Sequence, residues 1–267
     1  MSRDKRTLEG QRQAAHDPAM DHQMTSGTRR TALVTGGDAG IGRAICEAFL
    51  ADGLGVVVNG LSGAGAAAAS LGGGSIGIDA DIGTDENRRA LIDAVGQLGG
   101  VDVLVLNAAI QHRAGWRDAA PDDLQRQIDV NFISTFALVQ AFVPGMVKRG
   151  WGRIIMIGSV QEVRPNPELP VYAALKAAQE NFARNLARDV ARSGVTCNVV
   201  SPGVIETARS RAVLADAAVR ASWLERIPAG RFGAAAECAA AVRFLISDAG
   251  AYITGQTIRV DGGLSIT

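Results

Sequence analysis

The sequence predicts an α/β fold, with a single doubly wound parallel sheet of about seven strands and helices on both faces. Three observations carry this. Short Val/Ile/Leu runs alternate with helical patterns from residue 31 onward. Those runs are continuously apolar, as expected for parallel strands covered on both faces. A glycine-rich turn, Gly36 to Gly42, joins the first run to the first helical pattern. Strand, glycine turn and helix in that order make a dinucleotide-binding unit.

Strands are expected at 31–35, 55–59, 75–79, 101–107, 153–159, 195–201 and 256–260. Helices fall between them. The first runs from the glycine turn through Leu50. Residues 60–74, rich in Ala and Gly, suggest a short helix and loop. Thr84 with Asp85 and Glu86 opens another helix, with a hydroxyl at the cap and acids in the first turn. Pro121 with Asp122 and Asp123 opens a long helix through about residue 148, because proline suits the first turn and acids suit its dipole. From Tyr172, the residues Leu175, Ala178, Phe182, Leu186 and Val190 keep helical spacing, and Gly194 can end that helix. Residues 1–28 are polar, lack either period and read as a disordered N-terminal extension. This stretch either precedes a natural start at Met24 or is an arm that packs on a neighbouring subunit. Residues 29–267 form the folded domain.

At 267 residues and 47% hydrophobic, one α/β domain can bury a substantial core. Twenty-seven acids balance 27 bases, which gives no support for a nucleic-acid or anionic-membrane partner. No apolar run is expected to span a bilayer, and no charged-then-apolar leader opens the chain. Cys46, Cys197 and Cys238 are far apart and odd in number, so they read as buried thiols in a reducing cytoplasm. His16, His22 and His112 lack metal-ligand spacing, and no metal centre is expected.

The chemistry centres on Ser159, Tyr172 and Lys176. A phenol is a poor proton donor or acceptor at neutral pH, with a reference pKa of about 10. A lysine at i+4 lies on the same helix face, and its charge favours the phenolate. A serine hydroxyl from a separate strand can hold a carbonyl or alcohol oxygen beside the phenol. Such a trio moves a proton on and off an oxygen while a hydride moves at the carbon. The glycine turn offers a seat for the hydride carrier, with a helix N-terminus facing its pyrophosphate. Taken singly, the glycines make a tight turn, Ser159 ends a strand and Tyr172 sits on a helix face. Their agreement on one mechanism favours the chemical reading.

Together these motifs resemble the short-chain dehydrogenase/reductase family over residues 30–267. The family's T-G-x-x-x-G-x-G reads here as Thr35 to Gly42. Its N-A-G reads Asn107-Ala108-Ala109, with alanine in place of the glycine. Its helix asparagine matches Asn131, its catalytic serine Ser159, and its Y-x-x-x-K matches Tyr172 and Lys176. Pro202 and Gly203 match its P-G motif, with Thr207 in the usual hydroxyl position, and Asp261-Gly262-Gly263 also fits. The resemblance implies a Rossmann-type domain that binds NAD or NADP. Gly36, Gly40, Ile41 and Gly42 would line the cofactor, and Asp81 with Ile82 would meet the adenine. Asp79 competes with Asp81 for that place. Asn107 and Ala108 would flank the cofactor, Asn107 having turn capping as its alternative. Tyr172, Lys176, Pro202, Gly203 and Thr207 would complete the contacts.

The implied roles are Tyr172 as acid and base, Lys176 as the group that lowers the phenol's pKa and holds the nicotinamide ribose, and Ser159 as the group that orients the oxygen. Asn131 would anchor a water linked to Lys176, which gives a poor helix-interior residue a reason to be there. Residues 204–230 look like the family's lid, with Trp223 facing substrate or packing in the core. The last strand of the family often pairs across subunits, so a homo-tetramer, or a dimer, is expected.

In the family an acid at the end of strand two favours NAD, and a base there favours NADP. Here Gly60 and Leu61 take those places, so both determinants are missing. A carboxylate at Asp38, next to Ala39, should repel a ribose phosphate unless Arg43 reaches back to offset it. The balance tips to NAD. Gln111, His112, Arg113, Gln161, Glu162 and Arg164 follow the strand-four and strand-five motifs and are candidates to face a substrate. They suit a polyol, a sugar, or a sugar acid whose carboxylate meets Arg113 or Arg164. The expected activity is alcohol–ketone or alcohol–aldehyde interconversion on such a molecule. The alternatives are a 3-oxoacyl-thioester reductase and a non-catalytic dinucleotide sensor, against which the retained Tyr172 and Lys176 argue.

Overall fold

In the computed structural model, which describes residues 29–267, the apolar runs pair as parallel strands. The expected N-terminal extension lies outside the described residues. The strands are β1 (Thr31–Thr35), β2 (Gly55–Gly60), β3 (Ile76–Asp79), β4 (Val103–Leu106), β5 (Gly152–Ile157), β6 (Val195–Pro202), the two-residue β7 (Ile205–Glu206) and β8 (Gly233–Ala234), and β9 (Thr257–Val260). The helices are α1 (Gly40–Ala51), α2 (Ala64–Leu71), α3 (Asp85–Gln97), α4 (Pro121–Ile128), α5 (Ser134–Arg149), α6 (Pro170–Val190), α7 (Ala208–Leu214), α8 (Ala217–Arg226) and α9 (Ala235–Ile246). Seven strands form one sheet in the order β3-β2-β1-β4-β5-β6-β9, with every pairing parallel. All seven expected strands are present. β7 and β8 pair separately and carry no sequence signal of their own, being too short for periodicity.

Two apolar layers sandwich the sheet. One packs Leu33 and Leu104 against Leu91 of α3, Leu138 of α5 and Ala183 of α6. The other packs Val34 and Val58 against Phe49 of α1 and Val242 of α9. Leu33 and Val34 are neighbours in sequence and serve opposite layers, because strand side chains alternate faces. This is why the strands read as unbroken apolar runs.

The strand order reverses at β1, flanked by β2 and β4. A reversal of this kind leaves a crevice at the carboxyl ends of the strands, the usual ligand seat of open α/β sheets. The long helix predicted from Pro121 is continuous to Arg149, but α4 and α5 are joined by a π-helical turn over Asp129–Ile133. Contrary to the sequence expectation, this helix is long and apolar enough by composition to cross a bilayer, with mean hydropathy 1.6 over its best window, half of it buried in the fold. Core packing accounts for that composition, since Leu138, Phe142 and Met146 face the sheet layer.

Candidate active site

The crevice is a cleft of about 560 Å³ running from the glycine turn to Ser159, Tyr172 and Lys176. Gly36 and Gly40 take φ of 60° and 54°, values that side chains resist. A Cβ on Gly42 would lie 2.1 Å from the Gly36 oxygen, so the turn closes tightly onto the first residues of α1. Asn107 braces it. Its Nδ2 donates to the carbonyls of Thr35 and Gly36, both at 2.9 Å, while the Thr35 hydroxyl accepts the backbone N–H groups of Asn107 and Ala108. Gly36, Asp38, Gly40, Ile41, Asp81, Ile82, Asn107, Ala108, Pro202, Gly203 and Thr207 line the cleft. Gly42 stands behind the loop. A tight glycine cradle at a helix N-terminus fits a dinucleotide pyrophosphate.

At the adenine end, the competitor Asp79 is committed elsewhere, accepting the Ala64 N–H at 2.6 Å at the start of α2. Asp81 lines the cleft but also grips Arg126 through both oxygens at 2.8 Å. Asp38 lies against the end of β2. A Cβ on Gly60 would meet its Cγ at 2.9 Å, so a carboxylate from the glycine turn fills the place vacated by an acid at Gly60. Arg43 does not reach back. It pairs with Glu47 and donates to Ser70.

At the other end, Ser159 caps the short turn Val160–Glu162, its Oγ accepting the Gln161 N–H at 3.2 Å. Lys176 is fully buried, and its Nζ lies 5.7 Å from the centre of the Tyr172 ring. Burial pushes the Lys176 ammonium down to about 8, with Glu162 pulling it up and Arg209 pushing it further down. Burial also raises the Tyr172 phenol, while Arg209 and hydrogen bonding with Ser159 lower it. The sequence reading assigns the lowering of the phenol to Lys176. In the structure burial outweighs the groups that favour the phenolate, and the leading cation among them is Arg209 on α7.

Asn131 sits in the π-helical turn, which gives an asparagine a place inside a helix. Its side chain is spent on Ile110, accepting the N–H at 2.9 Å and donating to the carbonyl at 2.8 Å. Gln179 links Asn131 to Lys176. Its Nε2 donates to the Asn131 carbonyl at 2.6 Å and its Oε1 accepts from Lys176 Nζ at 2.9 Å. Sequence reasoning missed Gln179, although it lies three residues past Lys176 on the same helix face.

Of the six substrate-facing candidates, Gln111, Arg113 and Gln161 line the cleft. His112 turns to Asp123, and Glu162 folds inward onto Ser201. Arg164 donates to Thr267 Oγ1 at 2.5 Å near the end of the chain. Arg113 is paired with Glu168 at 2.5 Å, so neither arginine nominated for a substrate carboxylate is free. Arg209 also lines the cleft. Its Nη1 donates to the Ala109 carbonyl at 3.3 Å, and no carboxylate pairs with it among the described residues. The Gln161 side-chain oxygen is buried without a donor. Trp223 lines the cleft and also packs near Leu214 and Ile227.

A family model described as enoyl-(acyl carrier protein) reductase matches residues 36–265. The 3-oxoacyl-[acyl-carrier-protein] reductase of Escherichia coli (strain K12) is 41% identical over 238 residues, covering 88% of this chain and 97% of its own. The chain belongs to the short-chain dehydrogenase/reductase family. It is an NAD(P)-dependent oxidoreductase of that family. Among solved structures, a gluconate 5-dehydrogenase from Burkholderia cenocepacia J2315 in complex with NADP and tartrate superposes with TM-score 0.84 at 36% identity, over 89% of this chain and 96% of that one. A 3-oxoacyl (acyl-carrier-protein) reductase from Agrobacterium tumefaciens C58 with NADP bound gives TM-score 0.81 at 34% identity, over 92% and 99%.

Proposed function

We propose that this dehydrogenase/reductase interconverts an alcohol and a ketone on a polar polyhydroxy substrate, a polyol, sugar or sugar acid. The observation that carries the reading is the convergence of Ser159, Tyr172 and Lys176 at one end of a cleft whose other end is a glycine cradle. A nicotinamide held in the cleft would supply the hydride acceptor or donor. Tyr172 takes the proton from the alcohol oxygen, or returns it, and Ser159 hydrogen-bonds that oxygen. Lys176, held by Ile157 and Gln179, keeps a positive charge beside the phenol and would bind the nicotinamide ribose. Gly36, Asp38, Gly40 and Ile41 would hold the pyrophosphate and ribose side, with Gly42 letting the turn close behind them, Asp81 and Ile82 the adenine, and Thr207 with Pro202 and Gly203 the far wall. Arg209, which lines the cleft with no carboxylate partner among the described residues, suits a substrate carboxylate. The tartrate in the Burkholderia neighbour is a hydroxy acid of this class.

The segment 204–230, with α7 and α8, is read as the lid of the single domain. For cofactor, Asp38 against Gly60 argues for NAD, whereas the NADP in both solved neighbours argues for the phosphorylated form. Measuring KM for each coenzyme decides between them. An assembly of identical subunits is supported by the exposed Ile133 and Phe136, the latter stacked on Phe182 at 5.0 Å. Buried free thiols at Cys46, Cys197 and Cys238 agree with a cytoplasmic setting.

The second reading, 3-oxoacyl-thioester reduction, is favoured by the curated relatives. One experiment tests both: absorbance of the reduced nicotinamide with gluconate, sugars, polyols and acetoacetyl-coenzyme A, for wild type and Tyr172→Phe. Turnover of polyhydroxy compounds that falls at least about a thousandfold in Tyr172→Phe, with cofactor binding retained, is expected. Retained turnover in the variant sinks the assignment, and turnover of the thioester alone favours the second reading.

A further inference from the structure

The catalytic reading leaves Glu162 without a role, although its carboxylate lies directly behind the reacting groups. The reason it can lie there is Gly158. A Cβ on that residue would stand 2.1 Å from Glu162 Oε1 and 2.6 Å from Ser201 Oγ. With no side chain in the way, the carboxylate folds under the end of β5. Its Oε1 accepts the Ser159 N–H at 2.9 Å and its Oε2 accepts the Ser201 hydroxyl at 2.6 Å. The two oxygens therefore tie the backbone of Ser159 to β6.

A second observation concerns Lys176. It is buried to 1% exposure, yet its Nζ donates to two neutral acceptors, the Ile157 carbonyl and Gln179 Oε1. A buried ammonium needs a counter-charge. Burial raises the Glu162 carboxyl above the usual carboxylate range, while the Ser201 hydroxyl, the Ser159 N–H and the Lys176 charge favour its ionised form, and its field opposes the burial penalty on Lys176.

We propose that Glu162 is a positioning residue, fixing the Ser159 turn against β6 and supplying the counter-charge for buried Lys176. The proposal rests on the catalytic reading of Ser159, Tyr172 and Lys176. The charged groups around it are few. Lys176 and Glu180 face Glu162 from α6, and Arg209 faces Tyr172 and Lys176 from α7. From β6 the carboxylate meets the neutral Ser201. The negative charge of Glu162 raises both Tyr172 and Lys176, so removing it lowers both. A charge-neutral replacement then moves both limbs of the pH–rate profile toward acid, which a merely structural change does not.

The test separates charge from geometry. Glu162→Gln keeps both hydrogen-bond positions and loses the charge, whereas Glu162→Asp keeps the charge and loses the reach. Each is assayed from pH 5 to 10 beside wild type and Tyr172→Phe, with gluconate and NAD or NADP, and with acetoacetyl-coenzyme A and NADH or NADPH. A readout independent of substrate comes from tyrosinate absorbance. The chain has two tyrosines, and Tyr252 is fully exposed, so in a Tyr252→Phe background the phenol titrated is Tyr172. Circular dichroism confirms folding.

Glu162→Gln is expected to move the pH–rate profile and the tyrosinate titration toward acid by about half to one pH unit. Glu162→Asp is expected to lower kcat about tenfold with the profile in place. A profile and titration that stay put in Glu162→Gln overturn the counter-charge, and wild-type kcat in Glu162→Asp overturns the positioning. Should Tyr172→Phe retain turnover, the catalytic reading fails instead, and the phenol titration still decides the charge of Glu162.

Discussion

Replacing Lys176 by methionine tests the energetic state of the site without any substrate. The side chain is fully buried, and burial holds its ammonium at about 8 against an ordinary 10.5. Below pH 8 the folded protein carries a charge in a place that penalises it. Between about 8 and 10.5 the unfolded chain keeps a proton that the folded protein has released, so stability rises with pH across that window. The gap of 10.5 minus about 8, at about 1.4 kcal/mol per pH unit, corresponds to roughly 3 to 4 kcal/mol. No solvent screening reduces it, because the group is enclosed. Lys176→Met lacks this titration. It also strips a donor from the Ile157 carbonyl and from Gln179, a cost of about 1 to 3 kcal/mol that is nearly independent of pH.

The measurable quantity is thus the difference between wild type and variant, not either stability alone. Urea unfolding followed by tryptophan fluorescence, at equal protein concentration so that any subunit association cancels, is run at pH 7 and pH 10. Wild type should gain on the variant by roughly 2 to 3 kcal/mol between those two values. A difference that is the same at both refutes the claim that Lys176 is held against its burial penalty. The variant should also lose turnover altogether.

The remaining predictions concern ligands. Leu61 is 68% exposed on the cleft rim beside Asp38, so Leu61→Arg should tighten NADPH binding about tenfold, measured by fluorescence titration. No gain would place the ribose elsewhere. Arg209→Gln should lower kcat/KM for sugar acids relative to neutral polyols by about tenfold to a hundredfold, read from steady-state kinetics on both. An unchanged ratio removes Arg209 as the carboxylate contact.

What could be read in the sequence was whatever local chemistry imposes. Apolar runs, a glycine turn that needs positive φ, and a lysine one helical turn from a tyrosine have the same meaning wherever the chain goes. The seven strands, α1, α3 and α6 and the Ser159–Tyr172–Lys176 cluster follow from them. Other features depend on approach between distant segments. Arg113 and Arg164 looked available for a substrate, but Glu168 and the C-terminal residues claim them, and no spacing rule couples residue 164 to residue 267. Asp38 takes the place of a β2 acid because Gly60 leaves the space, a contact between the glycine turn and the end of β2. Asn131 stands in a π-helical turn, and Gln179 bridges it to Lys176 across two helices.

The sequence by itself therefore determined the strands of the sheet, the glycine turn and the Tyr172–Lys176 pair with Ser159 ahead of it, because each is encoded by neighbours along the chain. Only the tertiary structure decided which charges remain free, which carboxylate lies under Ser159, and how burial moves Tyr172 and Lys176. Desolvation and pairing are set by everything packed around a group, and that packing exists only once the chain has folded.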